Sequence, residues 1–201
     1  MLPRLFDGGT CYILGGGASL TRETCALLPA DQCIAINSTI KLKPTAAVLY
    51  FSDFKWFRDH RPIFDQFSGH VVTASVRAKR ILARDAMFHL VRPPTIPSDR
   101  VTSGHCAVQL AVNAFGARRI ILLGFDCKLI DGRSHNHDDY PRPWSDRLYS
   151  DGTLPMWRGW GERMARHGVT VLNCSPDSAL TEFPTMPLDE ALADGQARFN
   201  R

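Results

Sequence analysis

Short apolar runs recur along the chain, separated by longer stretches in which apolar residues return every three or four positions. Runs at 10–14, 32–36, 46–51, 70–74, 88–92, 119–124 and 169–173 are rich in Val, Ile, Leu and aromatic residues, as strands are. Arg119-Ile-Ile-Leu-Leu-Gly124 shows no polar alternation, which predicts a strand buried on both faces and hence a parallel sheet. Helical spacing predicts helices near 20–28, 53–66, 104–115 and 154–167. In the last, Met156, Trp157, Trp160 and Met164 form one face that packs on the sheet, and Gly168 stands where the helix should stop. Strands alternating with helices define an α/β fold: one Rossmann-like, doubly wound, mostly parallel sheet across residues 1–201.

Two stretches break the alternation. Val91-Arg-Pro-Pro-Thr-Ile-Pro97 cannot hold regular structure and reads as a connector. From Ile130 to Pro155 the chain is polar and rich in Pro, His, Asp and Arg, and it follows a strand end. A loop of that length is expected to be functional, so 130–155 reads as an active-site loop or lid, with Tyr140 and Trp144 as its apolar anchors.

Ligands of open parallel sheets sit beyond the carboxyl ends of the strands, which selects Gly15–Ser19, Asn37–Thr39, Ser52–Asp53 and Phe125–Lys128. The first of these is a strand that stops on Gly15, Gly16 and Gly17, followed by Ser19 at the predicted opening of a helix. Strand, glycine loop and helix N-terminus together suit an anion, most often phosphate. A full dinucleotide fingerprint needs a sixth-place glycine, which is Leu20 here, and an acidic residue after the second strand, which is Asn37. Asn37 both donates and accepts, and so suits a base or sugar edge. A purely structural tight turn is the alternative.

Thr102-Ser103-Gly104-His105 opens the most regular predicted helix, as a cap or as a further set of donors to a ligand. Ser175-Pro-Asp177 reads as a third helix start at the same edge. Asp126 follows a strand end, where a carboxylate can hold a hydroxyl or a metal. His135, His137, Asp138 and Asp139 crowd the loop beyond it. That cluster permits a divalent-metal site, a general base or plain solvent-exposed residues.

Composition narrows the classes. The chain has 201 residues and a net charge of +4, which fits an anionic ligand without demanding nucleic acid. Its densest basic patch, Arg77-Ala-Lys-Arg80 with Arg84, leaves nucleic acid as a conceivable but unsupported partner. The six cysteines form no Cys-x-x-Cys pair, so neither a zinc site nor a disulfide framework is expected and a reducing cytoplasm is the default. No apolar run has a membrane helix's length, and the N-terminus lacks the marks of a secretion signal.

The order Gly15-Gly-Gly-Ala-Ser-Leu20, Ile36-Asn37, Val101-Thr-Ser-Gly104, Ile121-Leu-Leu-Gly-Phe-Asp126 and Asn173-Cys-Ser-Pro-Asp-Ser-Ala-Leu180 resembles the family 42 bacterial sialyltransferases. It is equally similar to motility-accessory-factor and 6-hydroxymethylpterin diphosphokinase-like domains, and its compact layout resembles phage-encoded relatives. The resemblance implies a transferase using a nucleotide-sugar, with Gly15, Gly17, Ser19, Asn37, Ser103 and Gly104 holding the nucleotide. Gly16, Asp53 and Thr102, at the same chain ends, complete the candidate set. It also implies a general base at His135 or His137, with Asp126 as a further catalytic candidate. Gly16 stands where that family has Asn, and its phosphate-assisting tyrosine is replaced around Lys128, leaving Lys128 or Arg133 to neutralise a departing phosphate. The diphosphokinase likeness implies Mg²⁺ on Asp126, Asp138 or Asp139. A nucleotide-binding protein without catalysis is the third reading.

Overall fold

The computed structural model describes residues 3–82, 86–88, 102–140 and 144–199. The seven strands among them are β1 (Thr10–Leu14), β2 (Cys33–Ile36), β3 (Val48–Phe51), β4 (His70–Thr73), β5 (Ala86–Phe88), β6 (Arg119–Leu123) and β7 (Thr170–Asn173). They form one sheet in the order β5-β4-β3-β2-β1-β6-β7, and every pairing is parallel. The chain winds outward from β1 to β5, then returns to the other side of β1 for β6 and β7. The order therefore reverses between β1 and β6, and a crevice opens at their carboxyl ends.

Successive residues of each strand face opposite sides of the sheet. Ile13, Ile34, Val48, Tyr50, Ile120 and Leu122 pack in one core with α5 (Ser103–Gln109) and α8 (Trp160–Arg166). Tyr12, Leu14, Leu49, Phe51, Ile121 and Leu123 pack in the other with α1 (Arg22–Ala26), α2 (Phe54–Asp59), α4 (Val76–Leu82) and α9 (Leu188–Phe199). The sheet is thus covered on both faces, which explains the unbroken apolar runs. All six cysteines are buried and unpaired. Among the described residues, no helix is long and apolar enough to cross a membrane.

Several predicted helices are broken for identifiable reasons. The stretch 53–66 splits at His60 into α2 and α3 (Arg61–Gln66), because Pro62 in the first turn of α3 cannot continue an existing helix. The stretch 104–115 is α5 continued by a wider π turn, Leu110–Ala114. The stretch 154–167 becomes α7 (Leu154–Met156) and α8, interrupted at Gly159, whose φ of 75° is left-handed. Trp157 and Trp160 still bury as predicted, and Gly168 ends α8 with φ 68°. The strand predicted at 88–92 is found earlier, at β5, while the connector 91–97 lies outside the described residues. No helix begins at Ser175: the segment is a turn with Asp177 at φ 50°, and the next helix is α9. The predicted meeting of three helix N-termini therefore does not occur.

His105 wedges this architecture together. It lies on α5 at 1% exposure, its ring 3.6 Å from that of Trp157, and its Nδ1 is 2.7 Å from the Thr102 hydroxyl. Thr102 thus serves His105, not the helix end, as no backbone N–H is capped by its side chain. Burial pushes the His105 pKa down to about 4, against the ordinary 6.5 of a free imidazole. The unfolded chain therefore takes up a proton that the folded chain refuses between those values, and stability falls as pH drops through that window. The shift corresponds to about 3 kcal/mol. Thermal unfolding between pH 7 and 4 should show a falling midpoint, and His105→Gln should flatten that slope.

Candidate functional site

The crevice holds a cavity of about 440 Å³, within the ~300–1,000 Å³ of small-molecule sites. Gly15, Gly16, Gly17, Asn37, Asp53, Thr102, Ser103, Gly104, Asp126, His135 and His137 all line it. Of the candidate nucleotide-binding residues and the catalytic candidates Asp126, His135 and His137, Ser19 alone stays out.

Ser19 is occupied elsewhere. Its N–H donates to Asp126 Oδ2 at 2.9 Å, and its hydroxyl donates to Oδ1 of the same carboxylate. Gly15 and Gly17 spend their N–H groups on the carbonyls of Leu123 and Gly124. A Cβ on Gly17 would lie 2.5 Å from Gly124 O and 2.6 Å from Asp126 Oδ2, so only glycine permits this approach. Helix α1 is capped by Thr21, not Ser19. The loop that looked like a phosphate cradle thus holds the protein's own carboxylate. Burial raises the Asp126 pKa, and its Ser19 hydrogen bonds oppose that only in part.

Strand ends supply the floor and far wall. Asn37 follows β2 at φ 52°, a left-handed position that Asn tolerates better than most residues. Its side chain lies near the Tyr140 phenol and offsets part of the rise that burial gives that group's pKa, while among the described residues its buried Oδ1 has no partner. Cys127 also has φ 52°, without Asn's excuse, so backbone strain gathers at this cavity. Burial pushes the Cys127 thiol up to about 12, which removes it as a nucleophile. Asp53 caps α2 by accepting the Lys55 N–H at 2.7 Å and also faces the cavity. Ser52 and Ser103 sit 3.0 Å apart across the strand and helix ends.

The loop after β6 forms the roof. It is docked rather than free: Asn136 N donates to Gly16 O at 2.9 Å, Tyr149 donates to Ser134 O, and Asp139 reaches across to Lys41. Ser134 Oγ accepts the Trp144 N–H and lies 2.8 Å from His135 Nδ1. Donation of the Ser134 hydroxyl to that nitrogen uses every proton and leaves the His135 ring proton on Nε2. His137 Nδ1 accepts the Asp139 N–H at 3.3 Å and lies 3.6 Å from Asp139 Oδ2. Gly16 leaves room for both rings, since a Cβ there would come within 3.2 Å of His135 and 3.8 Å of His137. Burial, then the neighbouring His137, pushes His135 down to about 4. Burial also lowers His137, while Asp139 pulls it back.

Asp139 is the peg of this roof. Lys41 Nζ donates to both its oxygens at 2.7 and 2.8 Å, Ser38 donates its hydroxyl, and His60 Nε2 lies 3.1 Å away. Burial alone would raise its pKa, but the Lys41 and Ser38 hydrogen bonds prevail and hold it at about 2. These ties engage two of the three carboxylates of the expected Mg²⁺ set. Asp126 is taken by Ser19, Asp139 by Lys41, and the Asp138 side chain is fully exposed. Among the described residues no three His, Cys, Asp or Glu side chains group to hold a metal. Neither Lys128 nor Arg133 lines the cavity, and Arg77 lies over the Phe54 ring at 4.1 Å.

Ser134, Tyr149, Thr153 and Trp157 line the cavity without having been selected from sequence. Trp157 looked like core, and Ser134, Tyr149 and Thr153 carry no local pattern that would mark them. Asp139, with its pKa held below the ordinary 3.8, stabilises the fold above about pH 4 and ceases to as pH falls toward 2. Asp139→Asn should therefore lower the unfolding midpoint at pH 7, and the gap to the parent should close between pH 4 and 2. Compared with protein-family models, with curated proteins and with solved structures, the chain matches none, so a functional reading rests on the chemistry of this cleft.

Proposed function

We propose that the protein is a transferase that binds a nucleotide-activated donor, of the nucleotide-sugar class, in the cleft between β1 and β6. The observation that carries this reading is Asn37 on the cavity wall, whose buried Oδ1 lacks a partner among the described residues. A buried acceptor left unpaired is costly, and an amine of a base or a ribose hydroxyl would satisfy it. Ser52 and Ser103 offer further hydroxyls to a sugar or phosphate, and the rings of Tyr140 and Trp144 line the same cavity.

The two histidines sit in different surroundings and so divide the chemistry. His137 has a carboxylate within 3.6 Å of its Nδ1. A tautomer shift that moves the ring proton from Nε2 to Nδ1 through solvent, with a small ring rotation, exchanges the Asp139 N–H bond for an Nδ1–H···Oδ2 bond and bares Nε2 to take a proton from an acceptor hydroxyl. Asp139 then stabilises the imidazolium that forms. His135 has no such partner; its Nε2–H is a donor suited to the departing phosphate, the role that Lys128 and Arg133 are not placed to fill.

Thermal unfolding with CMP, UMP, AMP and their sugar conjugates tests the reading, because a ligand of the folded state raises the midpoint. Stabilisation by at least one is expected, weakened about tenfold in Asn37→Ala, a cost of about 1.4 kcal/mol. His137→Ala should keep that binding and lower transfer by about 10²–10⁴-fold. No stabilisation by any of them would sink the proposal, and binding without turnover in the parent would leave a nucleotide-binding protein.

A further inference from the structure

At the opposite edge of the sheet, the amino ends of β1, β6 and β7 border a second cavity of about 290 Å³. Register sets Thr10 beside Arg119, and Arg119 beside Thr170, so three adjacent strands open on a Thr–Arg–Thr row. Paired residues point to the same side of a sheet. Here it is the side of α9, since Tyr12, Ile121 and Leu172, each two residues further along, share a core with Ala191.

Arg119 is built in rather than draped over the surface, with its side chain 7% exposed. Its Nη2 donates to the Ala191 carbonyl at 3.0 Å and to Asp194 at 3.1 Å. Its Nε and Nη1 are buried and have no acceptor among the described residues. A guanidinium carries protons on all three nitrogens, so two of them are left with unused donors in a water-poor place. Such groups ordinarily find an acceptor.

The surroundings keep the space open. Gly195 lies inside α9, where glycine weakens a helix, and a Cβ there would come 3.4 Å from Arg119 Nη1. Arg118 lines the same cavity, one of its nitrogens held by the His167 carbonyl at 3.0 Å. Among the described residues, Asp194 stands beside Arg119 and Asp7 acts on Arg118 from outside the cavity lining.

We propose that this Thr–Arg–Thr row, with Arg118, is a second ligand site that takes a phosphate group. The free donors of Arg119 lie on different edges of its guanidinium, with a threonine on either side in the row. A tetrahedral anion offers oxygens in several directions and suits that spread, where a planar carboxylate presents only two. The site lies the length of a strand from the nucleotide cleft and does not depend on that reading.

The test is thermal unfolding with inorganic phosphate titrated at constant ionic strength, with chloride and acetate as comparison anions. Phosphate should raise the midpoint saturably, acetate less and chloride not at all. Thr170 is exposed, so Thr170→Glu should fold normally while its carboxylate weakens the phosphate response about tenfold or more. Arg119→Gln should act likewise where it folds, and His137→Ala, in the cleft, should leave the response intact. The proposal is overturned by an unsaturable response or none, by acetate matching phosphate, by a response that survives Thr170→Glu, or by one lost in His137→Ala.

Discussion

The crevice depends on one contact: the carboxylate of Asp126 inserted into the glycine loop after β1. Asp126 leaves the end of β6, and Ser19 holds both its oxygens, while Gly17 donates to the Gly124 carbonyl beside it. The two strands on either side of the topological reversal are thereby tied at the point where the sheet would otherwise gape. A helix N-terminus or a bare amide nest would bind an external anion there; here the anion is internal. That arrangement turns the loop from a ligand contact into a hinge-pin. It also frees the rest of the rim, namely Asn37, the paired serines and the histidine loop, to meet whatever enters.

The roof shows the same economy of polar ties. Residues 130–140 have almost no apolar packing of their own, yet they are held by Asn136 on the glycine loop and by Asp139 on Lys41, Ser38 and His60. Asp139 therefore has two effects at once: it pins the loop and stands beside the imidazole of His137. Buried polar networks of this kind hold a geometry that apolar packing alone would leave adjustable. A site built on a scaffold of strand ends gains its precision from such ties.

Much of the architecture was legible because the central strands bury both faces. Runs such as Ile120 to Leu123 carry no alternation, and the parallel, doubly wound sheet follows from that alone. The rule that ligands gather at carboxyl ends selects chain segments that the fold brings around one cavity, among them Gly15, Asn37, Ser52 and Phe125. Roles were harder to read. Ser19 looked like a helix cap because the carboxylate that claims it lies more than a hundred residues away in sequence. Thr102 looked like a cap too, but its hydroxyl is engaged by His105, a side chain drawn inward by its stack on Trp157. Helix breaks at His60 and Gly159 were signalled by Pro62 and by the glycine itself, yet periodicity on either side masked them.

Local chemistry by itself determined what each segment could be: which runs form strands, where glycine allows a backbone to turn, and which polar residues stand at strand ends. These properties depend on neighbours within a few positions, so a chain read in order reveals them. The tertiary structure alone decided which groups are spent and which are left over. Asp126 is spent on Ser19 and Asp139 on Lys41, whereas Asn37 and Arg119 keep buried groups with no partner among the described residues. Hydrogen bonding is an exclusive, short-range pairing between residues distant in sequence, and only the folded chain completes that pairing.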